Sequence, residues 1–339
     1  MSTPTNRRWS RRPDGSNWGD FGPDDQVGRL NTVTPAMRLA ALAEVKEGIC
    51  FALSLPLDLP GGDGPETPRR APQLFPTSFS GHQMVNLQIS PTDVSNDDGV
   101  TMSLQYSTQW DSLAHWGRLF DVDDSGTERP VYYNGHRAGI DLRDQAGPDG
   151  PGLERLGIEN MAMTGVQTRG VLVDLGRAYG TGRTLVDHDL LSEAIAKQGV
   201  EVRPGDVLLL RTGYDEALVG MGGEPDEEVL ERTGAALDGS DDRLLDWIEE
   251  SGIVAIASDN TAVEAVKLDF DVPRPGGRSH LPLHDRCLFR LGMHLGELWW
   301  LSELADHLAA VGRHAFLLTA PPLRLPGAAG SPVTPVATV

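Results

Sequence analysis

The chain has 339 residues, of which 39% are hydrophobic and 23% are charged, so it could form one large domain or two compact ones. No apolar run approaches the roughly 18 residues of a membrane span, and a net charge of −20 disfavours nucleic acid or an anionic lipid surface as a partner. We therefore expect a cytoplasmic globular protein whose partner is a small-molecule substrate.

The N-terminus differs in character from the rest of the chain. Residues 1–13 carry four arginines and lack the apolar centre of a signal peptide, so residues 1–16 are predicted to form a flexible arm. No later change in composition divides the chain. Residues 17–339 are therefore predicted to form one large domain.

Helices and short strands are predicted to alternate along this domain. The first helix follows Thr34, which can cap it, and has Pro35 at its first position and Gly48 near its end. A strand at 49–57 and a Pro- and Gly-rich surface excursion at 60–76 come next, the latter a lid or an arm toward a neighbouring subunit. Further helices are predicted at 189–198, 241–250 and 302–311, and further strands at 170–175, 206–212, 253–257 and 315–319. This alternation predicts an α/β fold.

The densest cluster of polar and aromatic residues reads QYSTQWDSLAHW, from Gln105 to Trp116. If this stretch begins as a strand, Gln105, Gln109 and Asp111 share one face, because strand side chains alternate. Asp111 is a good ligand for a hard metal ion, an amide oxygen is a weaker one, and His115 could be a ligand or a general base. The same residues could instead satisfy backbone groups in a bend.

A second polar pair lies near the C-terminal end, where His284 precedes Glu297 by thirteen residues. Histidine and glutamate are common partners around a divalent metal, so the pair could complete a shell that Asp111 begins. The spacing alone does not specify this, since Glu297 could equally cap a helix or lie on the surface. No glycine pattern of a phosphate-binding loop and no GxSxG serine motif occurs in the chain.

At these two segments the sequence resembles the cyclase superfamily, the metal-dependent hydrolases that include bacterial kynurenine formamidase and isatin hydrolase. Its hallmark is His-x-Gly-Thr-His-x-Asp-x-Pro-x-His. Residues 105–115 keep Thr108, Asp111 and His115 in register but replace both early histidines by Gln105 and Gln109. Further blocks of similarity occur in order at 18–25, 169–175, 203–213, 284–297 and 327–332.

The resemblance implies a swivelling β/β/α fold in a single large domain and a homodimer or homotetramer. It also implies two metal positions that share the motif aspartate. By position, Asp111, His284 and Glu297 retain one of them, with Gln109 as a further ligand, whereas the two glutamines put the other in doubt. We expect one divalent ion, manganese or zinc, because an amide oxygen in place of an imidazole favours a harder ion.

The implied activity is hydrolysis of a C–N or C–O bond in a small cyclic or aryl amide, lactam or lactone. The metal would activate a water molecule, and His115 would act as general acid and base. Gln105 is predicted to contact the substrate, with Trp110, Trp116 and Phe75 as aromatic walls, although aromatic residues near a motif are often core. Two alternatives stay open: a lyase, dehydratase or cyclising enzyme on the same fold, and a metal-free binding protein.

Overall fold

The structure is a computed structural model that describes residues 8–62, 69–142, 152–266 and 278–339. Its helices are α1 (Pro35–Leu42), α2 (Ile158–Ala162), α3 (Leu175–Tyr179), α4 (His188–Gln198), α5 (Tyr214–Gly220), α6 (Glu227–Glu231), α7 (Asp242–Glu250), α8 (Pro282–His284) and α9 (Ser302–Val311). Its strands are β1 (Cys50–Ala52), β2 (Gln73–Pro76), β3 (Ser78–Phe79), β4 (His82–Gln83), β5 (Leu87–Gln88), β6 (Val94–Ser95), β7 (Asp98–Thr101), β8 (Gln109–Asp111), β9 (Arg118–Phe120), β10 (Arg129–Val131), β11 (Gln167–Asp174), β12 (Thr184–Val186), β13 (Val207–Arg211), β14 (Ala235–Leu237), β15 (Ala255–Ser258), β16 (His294–Glu297), β17 (Ala315–Thr319), β18 (Gly330–Pro332) and β19 (Val336–Thr338).

A nine-stranded sheet, in the order β1-β19-β17-β11-β13-β15-β16-β8-β18, organises the described residues. The four central strands, β11, β13, β15 and β16, run parallel to one another. Each strand outside this centre runs antiparallel to its neighbours in the sheet. The carboxyl ends of parallel strands meet at one edge of a sheet. The beginning of β8 lies at that edge, because β8 runs antiparallel to β16.

Helices cover both faces of the sheet. In β13, Leu208 and Leu210 pack on one face with α4 and α7, whereas Val207 and Leu209 pack on the other face with α9. Strands that are buried on both faces have continuous apolar sequences, so these strands could be predicted from the sequence. The predicted α/β fold is confirmed. None of the described helices has the length and apolar character that a membrane crossing requires.

The predicted helices are present, and the first begins at its predicted cap, Thr34, but it ends at Leu42, before Gly48. The Thr34 hydroxyl accepts a hydrogen bond from the Met37 amide at 3.2 Å, and Pro35 opens α1. The predictions at 189–198, 241–250 and 302–311 correspond to α4, α7 and α9. The predicted strands at 170–175, 206–212, 253–257 and 315–319 correspond to β11, β13, β15 and β17.

Two strand predictions were too long. The strand predicted at 49–57 begins at Cys50 and ends at Ala52, and beyond it an isolated bridge joins Ser54 to Trp299. The extended stretch of the QYSTQWDSLAHW segment begins at Gln109, because a turn closed by the Tyr106 amide and the Ser103 carbonyl precedes it. Strand alternation therefore does not govern the direction of the Gln105 side chain.

The predicted N-terminal arm is packed over part of its length. Residues 1–7 lie outside the described residues. Trp9, however, is buried, and its ring makes an edge-to-face contact with Trp18 at 5.8 Å between centroids. The Ser10 amide donates to the Val122 carbonyl. The prediction of a flexible arm is therefore wrong from Trp9 onward, because this indole belongs to the core.

The predicted surface excursion continues far beyond residue 76. Its residues 63–68 lie outside the described residues, and residues 69–105 form a projection that we call the β arm. The β arm consists of the ladder β2/β7 and two short hairpins, β3/β4 and β5/β6. No residue of the β arm is buried.

Candidate metal centre

The register of β8 and β16 brings the first site residues together. Gln109 lies directly opposite Glu297 in the antiparallel pair, so their side chains share one face of the sheet. Asp111, two residues further along β8, points to the same face. The three side chains are almost completely buried. Two strands distant in sequence therefore place two carboxylates and an amide at one position.

His284 completes this group from the other side. It ends α8 and leads into a π-helical turn at Asp285–Arg290, a type of turn that is frequent at functional sites. One ligand atom each from Asp111, His284 and Glu297 lie within 4.8 Å of one another. His284 Nε2 is 3.6 Å from Glu297 Oε1.

The hydrogen bonding of this cluster fits a divalent cation. Both carboxylate oxygens of Asp111 are buried and have no hydrogen-bond partner among the described residues. A buried carboxylate without a partner costs several kcal/mol, on the order of what a bound cation would offset. Two carboxylates and an imidazole are also a donor set that zinc and manganese accept.

The pKa shifts of Asp111 and Glu297 also favour a bound cation. Burial, together with the negative charge of Glu297, raises the pKa of Asp111 well above its ordinary value. Burial would also raise the pKa of Glu297, but the nearby His284 imidazole and the charge of Arg69 lower it. Asp111 is therefore the carboxylate of this pair that most lacks a positive partner.

Glu264 orients His284 and was missed by the sequence analysis. Its Oε1 accepts the His284 Nδ1 proton at 2.8 Å and the His284 amide at 2.9 Å, and its Oε2 accepts the Leu283 amide at 3.0 Å. Burial would lower the pKa of His284, but its hydrogen bond with Glu264 and the nearby carboxylate of Glu297 raise it to about 10. A carboxylate on the far nitrogen of a metal-binding histidine fixes the tautomer that leaves Nε2 free for the metal.

The loop that carries Glu264 adopts an unusual backbone conformation. Ala262 and Val263 have positive φ values of 69° and 62°, and Val263 is β-branched. Asn260 Oδ1 accepts the Val263 amide at 3.1 Å and helps to hold the turn. Such conformations cost on the order of 1–3 kcal/mol each and cluster at functional sites. The sequence feature that could have indicated Glu264 is the group of polar residues that directly follows the buried strand β15.

His115 lies at the open side of the cluster. Its Nε2 is 3.8 Å from Asp111 Oδ1, and its ring centroid is 6.4 Å from that of His284. Burial lowers the pKa of His115 to about 4. The imidazole is therefore neutral near pH 7 and can accept a proton.

The two glutamines of the motif occupy different environments. Gln109 donates from Nε2 to Glu297 Oε2 at 2.8 Å, and its Oε1 is buried without a hydrogen-bond partner among the described residues. Gln105 is partly exposed, and its side chain packs closely against Gly330. A Cβ atom added to Gly330 would lie only 2.6 Å from Gln105 Nε2. The ligand role of Gln109 and the substrate role of Gln105 stay predictions.

The three predicted aromatic walls lie in three different places. Trp110 is fully buried on the opposite face of β8, where it packs against Trp299 and donates to the Ala320 carbonyl. Its predicted role as a wall is therefore wrong, because neighbouring residues of a strand face opposite sides. Trp116 lies beside the site, 5.6 Å from the His284 ring, and stays a predicted wall. Phe75 belongs to the β arm and lines a cavity of about 320 Å³ that contains no residue of the metal cluster.

Two further residues next to the site were not predicted. Arg69, at the base of the β arm, donates from Nη1 to the Gln105 carbonyl at 2.6 Å and lies 4.0 Å from Glu297 Oε2. Its side chain keeps 26% of its surface exposed, so it can also meet a ligand. His294 contacts the backbone of the site, with its Nδ1 at 2.8 Å from the Asp111 carbonyl oxygen. No motif in the sequence marked either residue.

Comparisons with known proteins agree with the motif at residues 105–115. The sequence model of the cyclase family matches residues 51–265, more than half of the chain. A crystal structure of a novel cyclase is 33% identical, with 96% of this chain and 97% of that chain covered and a TM-score of 0.76.

Isatin hydrolases A share the fold at lower identity. The enzyme from Ralstonia solanacearum is 15% identical, with 90% of this chain and 97% of that one covered and a TM-score of 0.53. The enzyme from Labrenzia aggregata is 16% identical, with 88% and 96% covered and a TM-score of 0.52. A search of curated proteins finds no match. Because the family model matches most of the chain and the solved cyclase is similar over nearly its full length, this chain belongs to the cyclase family.

Proposed function

We propose that this chain is a metal-dependent hydrolase that cleaves a C–N or C–O bond in a small cyclic or aryl amide, lactam or lactone. The observation that carries the proposal is the buried carboxylate of Asp111, which lacks a hydrogen-bond partner among the described residues and converges with His284 and Glu297. Membership of the cyclase family and the fold shared with isatin hydrolases support the same reaction class.

Asp111, His284 and Glu297 would hold one manganese or zinc ion, with Gln109 Oε1 as a further oxygen donor. When bound, the ion would lower the pKa of a water molecule from about 15.7 toward about 7 and polarise the substrate carbonyl. Gln109 also holds Glu297 in place through its 2.8 Å hydrogen bond. Glu264 would keep His284 in the correct tautomer.

His115 would move the proton. It accepts the proton of the attacking water, whose oxygen forms the new bond to the carbonyl carbon, and then gives that proton to the nitrogen or oxygen that leaves. Its pKa of about 4 keeps the ring neutral at pH 7, so a nitrogen lone pair is present for the proton. General acid–base catalysis of this kind contributes roughly 10²- to 10⁴-fold.

Arg69 and Trp116 would bind the substrate. The Arg69 guanidinium is the positive group beside Glu297, and it can donate to an oxygen that becomes negative as the new carboxylate forms. Trp116 packs edge-on against His284 and offers an apolar surface for a ring. Together they favour a substrate with a flat ring next to its scissile carbonyl.

The test is a product assay on protein that has been stripped with a chelator and reloaded with manganese or zinc. Isatin, aryl amides and lactones serve as the panel, and mass spectrometry should detect a product that has gained one water molecule. The variant His115→Ala should lose turnover by at least about 100-fold while it keeps its metal. His188→Ala, on a partly exposed histidine elsewhere in the chain, is the matched control.

Two results would contradict the proposal. A product formed without the gain of water would indicate a lyase, dehydratase or cyclising reaction instead. A protein that binds no metal and turns over none of the panel would favour a binding protein.

A further inference from the structure

A cavity of about 250 Å³ lies next to the first residues of α7 and α8. Six of its described lining residues are charged: Arg118, Arg278, Arg286, Arg290, Asp242 and Asp285. The wall therefore carries four positive charges and two negative ones. Since the chain as a whole has a net charge of −20, this cavity is a local excess of positive charge in an acidic protein. Such a concentration of cationic side chains attracts anions.

The buried carboxylate of Asp285 holds two of these arginines in place. Its Oδ2 accepts from Arg290 Nε at 2.8 Å, and its Oδ1 accepts from Arg118 Nη1 at 3.2 Å. Arg290 also donates from Nη1 to the Asp14 carbonyl at 3.1 Å. One carboxylate between two guanidinium groups leaves an excess of one positive charge at this end of the cavity. Both guanidinium groups are thus oriented before a ligand arrives.

The other two arginines are fixed by carboxylates as well. Arg286 donates from Nη1 to Glu249 Oε2 at 2.6 Å, and its Nη2 is 3.3 Å from Asp246 Oδ1. Neither of these carboxylates is among the described lining residues. Arg278 donates from Nη2 to Asp242 Oδ2 at 2.8 Å. A guanidinium has five N–H donors in a planar fork, so an arginine that pairs with one carboxylate can still donate to a second anion.

We propose that this cavity binds a small anion with at least two acidic oxygens, the chemistry that a dicarboxylate and a phosphate share. Arginine matches the oxygens of both groups with pairs of parallel hydrogen bonds. A water molecule takes up about 30 Å³ of the liquid, so the cavity has room for a ligand the size of roughly eight water molecules. The side chains of Arg278 and Arg290 keep 49% and 23% of their surface exposed, which lets an anion reach them from solvent.

The cavity borders the residues that support the metal centre. Asp285 directly follows His284 in the chain. A Cβ atom added to Gly239, which lines the cavity, would lie 2.2 Å from Glu264 Oε2, so the wall here contacts the carboxylate that orients His284. The described lining nevertheless includes none of the three metal ligands. The anion and the metal would therefore occupy separate sites.

The experiment is isothermal titration calorimetry of the full-length chain with succinate and, separately, with inorganic phosphate, at constant ionic strength. We expect saturable binding of at least one probe, and the probe that binds identifies the acidic group. The double variant Arg278→Gln/Arg286→Gln should bind it at least about tenfold more weakly, because charge-assisted hydrogen bonds are lost. Arg243→Gln is the matched control. Arg243 is an exposed arginine of α7 that pairs with Asp189 and is not among the described lining residues, so this variant should bind like the wild type.

A second variant keeps the test valid if the double variant misfolds. Ser279→Glu adds a negative charge to the cavity wall and removes no arginine, so it should also weaken binding. Circular dichroism checks that each variant retains the fold. Absence of saturable binding of both probes up to millimolar concentration, or equal binding by the wild type and both folded cavity variants, would overturn the proposal. Binding that is lost in Asp111→Asn but kept in the double variant would also overturn it, because the anion would then bind at the metal centre.

Discussion

Replacing Glu264 by glutamine should weaken metal binding about 10- to 100-fold, or about 1.4–2.7 kcal/mol. The carboxylate accepts three hydrogen bonds, from the Leu283 amide and from the amide and Nδ1 of His284. A glutamine of the same shape has one oxygen and one NH₂ group, so at least one of these donors would face another donor. The loss of the negative charge would also reduce the basicity of His284 toward a metal.

The assay is competition with a chromophoric chelator, first with manganese and then with zinc. Asp285→Asn is the matched control. Asp285 directly follows His284 and is also a buried carboxylate, but it binds Arg118 and Arg290 and not the His284 ring. Urea unfolding of both variants shows whether either loses stability in general. Equal metal affinity in Glu264→Gln and wild type, or an equal loss in the control, would refute the orienting role of Glu264.

Other changes have expected outcomes as well. Arg69→Gln should raise the KM for a hydrolysed substrate more than it lowers kcat, whereas Arg69→Lys should recover part of the loss; steady-state kinetics measure both. Trp110→Ala should destabilise the chain by about 3–5 kcal/mol in urea unfolding, because it removes a fully buried indole from the core. Burial holds the pKa of His136 at about 4, below the 6.5 of an unfolded chain, so the unfolded state binds the proton more tightly. The stability that His136 contributes is complete above pH 6.5. It is lost as the pH falls from about 6.5 to about 4, by up to about 3 kcal/mol. The free energy of unfolding of His136→Phe, measured in urea, should therefore depend less on pH.

The fold was predictable wherever burial depends on local sequence. The run VLLL marked β13, and Thr34 with Pro35 marked the start of α1. β16 reads HLGE and gives no such signal, because its burial comes from its neighbours β15 and β8. Glu297 could therefore be read equally well as a helix cap or a surface carboxylate. The β arm also escaped prediction, since its strands have only two to four residues and none is buried.

The site was predictable where a motif fixed it and not where the tertiary fold builds it. The motif marked Asp111 and His115. Residue type made His284 and Glu297 a candidate pair, and only the resemblance to the cyclase superfamily implied their ligand role. Glu264 reaches the site only because a loop with two positive φ values turns it toward His284, which spacing does not encode. Trp110 was misplaced because a strand of three residues sends it to the opposite face from its neighbours.

The metal centre is tested most directly by the metal content of the purified chain, by elemental analysis after chelation and reloading with manganese or zinc. We expect one equivalent of metal per chain in the wild type and in Asp285→Asn, and a loss of that metal in Asp111→Asn and in Glu297→Gln. A wild type that holds no metal under either loading condition would contradict the proposed centre, and so would an Asp111→Asn variant that keeps its metal.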